Sequence, residues 1–119
     1  MSPAKIVQEE MVEGDTSFFA LHIETKNANQ LFLSEGEDRL GTLAIALPQK
    51  EKLVGPPLSS ILLGDRNLII ARILAEILAQ NTKKIALVSV YTKTINEQEV
   101  APILRKLMDK TLKKEEKKS

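Results

Sequence analysis

The chain has 119 residues, which is enough for one domain that buries a core without disulfides or metal ions. It contains no cysteine, which excludes disulfides, thiolate metal sites and cysteine catalysis. Its apolar fraction of 43% and charged fraction of 28% are typical of a globular protein rather than a disordered one. The first residues contain no apolar secretory segment, and no apolar run is long enough to cross a membrane, so a cytoplasmic location is expected.

Alternating and β-branched runs predict five strands before the first helix. These strands are expected at residues 4–12, 16–25, 30–33, 40–47 and 58–63. Short turns separate the first four, which predicts an antiparallel meander. Pro48 ends the fourth strand and opens a polar loop over residues 48–57. After a helix, residues 84–91 are apolar on both faces, which is typical of a central strand.

A second helix is predicted near the end of the chain. Asn96 and Glu99 have the spacing of a capping box, and Pro102 lies off the apolar stripe near the helix start. The stripe contains Val100, Ile103, Leu104, Leu107, Met108 and Leu112. The expected fold is therefore α+β, a mainly antiparallel sheet in the order βββββ-α-β-α with two helices packed on it. It forms one domain over residues 1–112, followed by a disordered Lys/Glu tail at 113–119.

The helix predicted over residues 66–80 is apolar around most of its circumference. Asp65 is the predicted N-cap, since its carboxylate can accept from N–H groups of the first turn. Large aliphatic residues form one continuous face that is expected to anchor the fold: Ile70, Ile73, Leu74, Ile77 and Leu78. The resulting apolar arc is wider than a surface helix needs.

A second row on this helix has mostly small side chains. Either a wrapping sheet or the second helix covers this row, or a second copy of the chain does. In the latter case a dimer interface is expected at Leu68, Ala71, Arg72, Ala75 and Ala79.

The net charge of +1 is unevenly distributed along the chain. Residues 1–104 carry 10 Lys/Arg and 13 Asp/Glu, whereas residues 105–119 carry 7 Lys/Arg and 3 Asp/Glu. Lysines suit the negative C-terminal end of a helix, and a small nucleic-acid-associated protein that uses this end is the alternative. No aromatic residue follows Tyr91, so nucleic-acid binding is not the preferred interpretation.

Neither a catalytic motif nor a cofactor motif is present. His22 is the only histidine, and its alternation places it on the more polar face of its strand, in a solvent-facing or partly buried structural role. The acidic residues Glu35, Glu37 and Asp38 are expected at a solvated turn. The glycines form no phosphate-binding loop. The sequence therefore predicts a protein that is not an enzyme and binds no cofactor or metal.

The order of two short motifs carries a family resemblance. Leu40-Gly41-Thr42-Leu43 lies on a predicted strand, and Leu62-Leu63-Gly64-Asp65 leads into the apolar helix. With the loop between them, the apolar strand and the last helix, this order resembles the small proteasome assembly chaperones, the third and fourth members of that set. The resemblance covers roughly residues 16–110.

The resemblance implies a non-enzymatic chaperone that binds proteasome α subunits and assists their assembly into a ring. It implies a dimer, which in eukaryotes is a pair of related chains. A cysteine-free, Lys/Glu/Ile-rich chain is similar to an archaeal-type relative, in which a homodimer would replace the pair. A generic protein–protein adaptor dimer is a further alternative.

The last residues depart from one pattern found among proteasome-binding factors. Some of these factors end in a hydrophobic-Tyr-X motif that inserts between α subunits, whereas this chain ends in Lys117-Lys118-Ser119. Binding through a folded surface is therefore expected, and the sequence does not identify its residues.

Overall fold

In the computed structural model, which describes residues 4–49 and 58–118 and side chains as far as Lys114, six strands form one sheet that carries two helices. The strands are β1 (Lys5–Glu13), β2 (Thr16–Glu24), β3 (Ala28–Glu35), β4 (Thr42–Ala46), β5 (Ser59–Leu63) and β6 (Ile85–Tyr91). The helices are α1 (Leu68–Thr82) and α2 (Glu97–Lys118). The predicted α+β class and element order are confirmed. Most of the predicted 48–57 loop, from residue 50 to 57, lies outside the described residues.

The sheet has the strand order β1-β2-β3-β6-β4-β5. Four of its pairings are antiparallel, and β3 and β6 run parallel, with Ala28 opposite Ile85. The expected four-strand meander is wrong in one respect, because β6 lies between β3 and β4. A strand that is apolar on both faces is typical of the interior of a sheet, where it has a neighbouring strand on each side. This is the position of β6.

Both helices pack on the same face of the sheet. A row of directly paired residues crosses this covered face from edge to edge: Val7, His22, Leu31, Val88, Ala44 and Ile61. Helix α2 lies over β1 and β2, and α1 lies over β4, β5 and β6. The predicted α2 stripe points into this core, where Val100, Leu104, Leu107 and Met108 are fully buried.

Helix α1 begins later than predicted, and Asp65 does not cap it. The N-cap position is Asn67, whose backbone is left-handed with φ 59°, a conformation that Asn tolerates better than most residues. Its side-chain amide donates to Thr92 Oγ1 at 2.9 Å instead of capping the helix. The Ile70 N–H in the first turn donates to Glu97 Oε2 at 2.7 Å. A carboxylate from α2 therefore takes the role that was expected of Asp65.

Helix α2 begins as predicted and extends further. The Glu99 N–H donates to Asn96 Oδ1 at 2.8 Å, and the Asn96 amide donates to Glu99 Oε1 at 3.1 Å. Pro102 lies inside the helix, near its start. The chain from Lys113 to Lys118, predicted as a disordered tail, continues the helix, and Lys114 contacts β1.

The two motifs of the family resemblance lie against each other. A side chain at Gly41 would overlap the backbone of Val90, and one at Gly64, where φ is +104°, would overlap Thr42. The Thr42 hydroxyl donates to the carbonyl of Arg66 just before α1. Glycine is therefore required at both positions by close approach of the backbone, and the motifs fix where β5 ends and α1 begins.

Candidate protein-binding surfaces

The alanine row of α1, which was expected to contact a second copy, lies in the core of the single chain. Ala71, Ala75 and Ala79 are 0% exposed, because the sheet covers them. Small residues meet small residues at this contact, since Ala44 and Ala46 of β4 are also 0% exposed. The assignment of these three alanines to a dimer interface is thus corrected. Leu68 and Arg72 are exposed and stay available.

The outer side of α1 presents an apolar surface, here named the α1 patch. It comprises Leu68, Ile69 and Ile73, which are 39%, 66% and 45% exposed, together with Arg72. A shallow groove runs between this helix and β5, lined by Ile61, Leu68, Ile69, Arg72, Ile73 and Glu76. Ile73, which was expected in the core, therefore lies on the outside.

The polar side chains of this groove are bound to one another. The Ser59 hydroxyl of β5 donates to the Glu76 carboxylate, and Arg72 Nε donates to Ser59 Oγ at 3.1 Å. These contacts tie α1 to the edge strand. The exposed part of the groove is therefore formed mainly by the hydrophobic residues Leu68, Ile69 and Ile73.

A second apolar surface is the side of the sheet that faces away from both helices, here named the open sheet face. Strand register places the following large apolar residues on it: Ile6, Val12, Phe19, Leu21, Ile23, Phe32, Leu43, Ile45, Leu63, Ile85, Leu87 and Tyr91. Ile6 and Val12 are more than half exposed, Leu63 is 45% exposed, and the others are of intermediate exposure. Each therefore keeps part of its surface in water.

The open sheet face has almost no charge. Within the six strands, Glu10 is the one charged residue that alternation places on this side, and it lies on the edge strand β1. At one end of the face the guanidinium of Arg39 lies 5.5 Å from the centroid of the Tyr91 ring. The Gly41 N–H donates to Ser89 Oγ at 2.8 Å, which fixes the adjacent loop over that end. A broad uncharged sheet face is typical of a protein contact rather than of a surface adapted to water.

The buried polar groups hold the fold together and do not form a reactive site. His22 lies on the face covered by α2 and is 1% exposed, so the expectation of a more polar face is wrong for this strand. Its Nε2 lies 2.8 Å from Asn29 Oδ1, and the Asn29 amide donates to Thr82 Oγ1 at 2.9 Å. Burial lowers the pKa of His22, more than the hydrogen bond to Asn29 raises it. The histidine is neutral at physiological pH and connects β2 and β3 to the end of α1.

Glu35, which was expected at a solvated turn, is 6% exposed and anchors the connection between β6 and α2. Its Oε1 accepts from the Lys93 N–H at 2.8 Å, and its Oε2 accepts from the Thr94 hydroxyl at 3.2 Å. Burial would raise the pKa of Glu35, but hydrogen bonds from the backbone N–H groups of residues 93–95 outweigh it and lower the pKa. The carboxylate is therefore already occupied by the protein. No group of three or more His, Cys, Asp or Glu residues in the described ranges is arranged to hold a metal ion.

Comparisons with known proteins bear on the fold. No family model and no curated protein matches the sequence. Among solved structures, a chain from the crystal structure of a chaperone complex for yeast 20S proteasome assembly matches with a TM-score of 0.69 at 13% sequence identity. The match covers 96% of each chain. The two chains share a fold.

This likeness agrees with the fold that the motif order implied, and at 13% identity it concerns the fold alone. A match over nearly the whole of both chains leaves no large insertion on either side. None of the described helices of this protein is long and apolar enough to span a membrane.

The sequence shows part of the open sheet face, in two of its strands, but not its exposure. The alternation of Phe19, Leu21 and Ile23, and of Leu43 and Ile45, was visible in the sequence. The sequence could not show that both helices lie on the opposite side. The sequence does indicate that part of the sheet is uncovered, because both faces of these strands carry apolar residues and only two helices are predicted to cover them.

Proposed function

We propose that this chain is a non-enzymatic assembly chaperone that acts as a dimer and binds proteasome α subunits during assembly of the α ring. The observation that carries the proposal is the open sheet face, a wide uncharged surface that the single chain leaves in water. The fold shared with a yeast proteasome assembly chaperone, and the motif order of the sequence, support the choice of partner. A homodimer in the cytoplasm, as expected for an archaeal-type relative, is part of the proposal.

The open sheet face is the proposed site of self-association. Six strands about 4.8 Å apart and some seven residues long present roughly 600 Å² of flat area, before the relief of the side chains is counted. A stable interface needs about 800 Å² of accessible surface per partner. Because the face is almost uncharged, a second copy can lie on it without burying an unpaired charge, and two such sheets pack as a sandwich.

The α1 patch is the proposed contact for the α subunit. It lies on the opposite side of the sheet from the open sheet face, so it stays accessible when two sheets pack together. Its groove combines exposed Ile69 and Ile73 with the fixed polar side chains of Arg72 and Glu76. Hydrophobic anchors beside a polar rim are the usual composition of such contacts. Leu68 and Arg72, first predicted for the dimer interface, belong to this patch.

Two charge substitutions separate the two surfaces. Leu21→Glu places a carboxylate on the open sheet face, opposite Phe32, and is expected to give a folded monomer. Two unpaired charges per symmetric interface would weaken the dimer by roughly 100-fold or more. Ile69→Glu is expected to leave the dimer intact and abolish α-subunit binding. The measurements are sedimentation velocity, far-UV circular dichroism, and pull-down of α subunits from the same source.

Each variant serves as the control for the other. A monomeric Ile69→Glu variant would place the dimer interface on the α1 patch, as Leu68 and Arg72 suggested from the sequence. If both variants stay dimeric and still bind α subunits, the proposed surfaces are wrong. A dimer that ignores α subunits would instead favour an adaptor for another protein.

The basic end of the chain supports the alternative, nucleic-acid binding, less than the two apolar surfaces support a chaperone. Lys110 and Lys114 lie within 4.0 Å of Glu9 and donate to backbone carbonyls of β1. Arg105 Nε lies 3.3 Å from Asp109 Oδ1, so three of the cationic residues whose side chains are described in this region are already engaged within the protein.

A further inference from the structure

The sheet has two edge strands, β1 and β5, and β1 is the longer, with nine residues. An edge strand presents backbone N–H and C=O groups that can pair with a strand of another chain. Ile6 and Val12 on β1 are 61% and 59% exposed, which makes the edge more prone to association. A protein with such a strand needs something to block it.

Two lysines of α2 reach the outer edge of β1. Lys110 Nζ donates to the carbonyl of Glu10 at 3.0 Å, and Lys114 Nζ donates to the carbonyl of Gln8 at 3.0 Å. Residues 8 and 10 are alternate positions of the strand, and alternate residues of an antiparallel strand direct their backbone groups to the same side. The lysines therefore occupy neighbouring acceptors that an incoming strand would need.

Glu9 holds the two ammonium groups in place. Its carboxylate oxygens lie 3.6 Å from Lys110 Nζ and 3.8 Å from Lys114 Nζ, and its side chain is 18% exposed. The lysines are four residues apart, which places them on the same side of α2. Burial acts to raise the pKa of Glu9, but the Glu10 N–H and the two lysines lower it, so the carboxylate is ionised at neutral pH.

We propose that Lys110, Lys114 and Glu9 form an edge guard that prevents β1 from pairing with β1 of a second copy of the chain. The guard works in two ways, because the lysines cover the acceptors and Glu9 is the middle residue of the strand. In an antiparallel pair centred on that residue, two carboxylates would face each other, which is unfavourable. The inference goes beyond the proposed function and does not depend on it.

The test uses the natural absence of cysteine. A Gln8→Cys/Glu10→Cys pair of substitutions puts thiols at the two positions that lie opposite each other in a β1 pair centred on Glu9, in two backgrounds, the natural chain and the Lys110→Gln/Lys114→Gln variant. Under mild oxidation the yield of disulfide-linked dimer is expected to rise several-fold in the second background. Native mass spectrometry at equal concentration is expected to show species larger than those of the natural chain.

The matched control is Lys106→Gln/Lys113→Gln, which removes the same charge from exposed positions of the same helix. It is expected to behave as the natural chain does, and Lys110→Arg/Lys114→Arg is expected to restore the guard. Equal crosslinking in the guard variant and the control would overturn the proposal. If the guard variant does not fold, Glu9→Gln decides: increased crosslinking supports the guard, and unchanged crosslinking contradicts it.

Discussion

The contact between α1 and the sheet depends on side-chain size at single positions. Ala71, Ala75 and Ala79 face Ala44 and Ala46, and all five are 0% exposed. Alanine lets the helix lie close to the strands, and no space remains for a longer side chain. The residues of α1 that remain available to another protein are therefore their neighbours on the outer side of the helix.

An arginine at position 75 tests this arrangement. Ala75→Arg is expected to destabilise the fold by about 3–5 kcal/mol, since it places an unpaired charge and extra volume in the core. Ile69→Arg, at a position that is 66% exposed on the same helix, is the control and is expected to cost less than about 1 kcal/mol. Urea unfolding at a fixed protein concentration measures both. A stable, monomeric Ala75→Arg variant would mean that this row faces another chain after all.

The elements are joined by polar side chains that act across long stretches of sequence. Glu97 caps α1 from the start of α2, and Glu35 fixes the residues between β6 and α2 from the end of β3. Both are carboxylates that accept backbone N–H groups. Such contacts set where α1 and α2 begin relative to the sheet.

The lowered pKa of Glu35 determines how its contribution to the free energy of unfolding changes with pH. Because its pKa in the folded protein lies below its ordinary value, its contribution is complete above about pH 4.3, the unfolded value, and is lost as the pH falls through the folded pKa. Glu35→Gln is expected to lower the free energy of unfolding by about 1–3 kcal/mol at neutral pH. The difference from the natural chain is expected to shrink below about pH 4. A difference that stays constant from neutral to acid pH would contradict this role.

Local sequence patterns predict where the strands and helices lie in the chain, but not which of them lie next to each other in the fold. The positions of the strands and the capping box at Asn96 follow from alternation and turn residues, although β3 extends two residues beyond the predicted 30–33 at each end. The position of β6 between β3 and β4 does not, because pairing partners depend on the whole chain. The cap of α1 was missed for the same reason, since Asp65 is close in sequence while Glu97 is close in space.

The same limit applies to the candidate surfaces. Periodicity identified a helix with more apolar surface than it needs, but not which part the sheet would cover. The exposed residues proved to be Leu68, Ile69 and Ile73 rather than the alanines. The open sheet face could be recognised only once both helices were placed on one side.

At the scale of the whole molecule, the protein has two layers, a layer of helices and a sheet, and the sheet face opposite the helices is uncovered. The helices cover one face of the sheet, and within the six strands the other face carries a dozen large apolar residues and one charged residue, Glu10, on the edge strand β1. Large exposed apolar surfaces are uncommon on proteins that act alone. The proposed chaperone, which pairs through one surface and holds a subunit with the other, would account for both apolar surfaces.

Native mass spectrometry of the purified protein, alone and mixed with proteasome α subunits from the same source, tests this account most directly. The expected result is a dimer alone and, in the mixture, a new species whose mass equals the dimer plus α subunit. A monomer that forms no complex with α subunits would contradict the account.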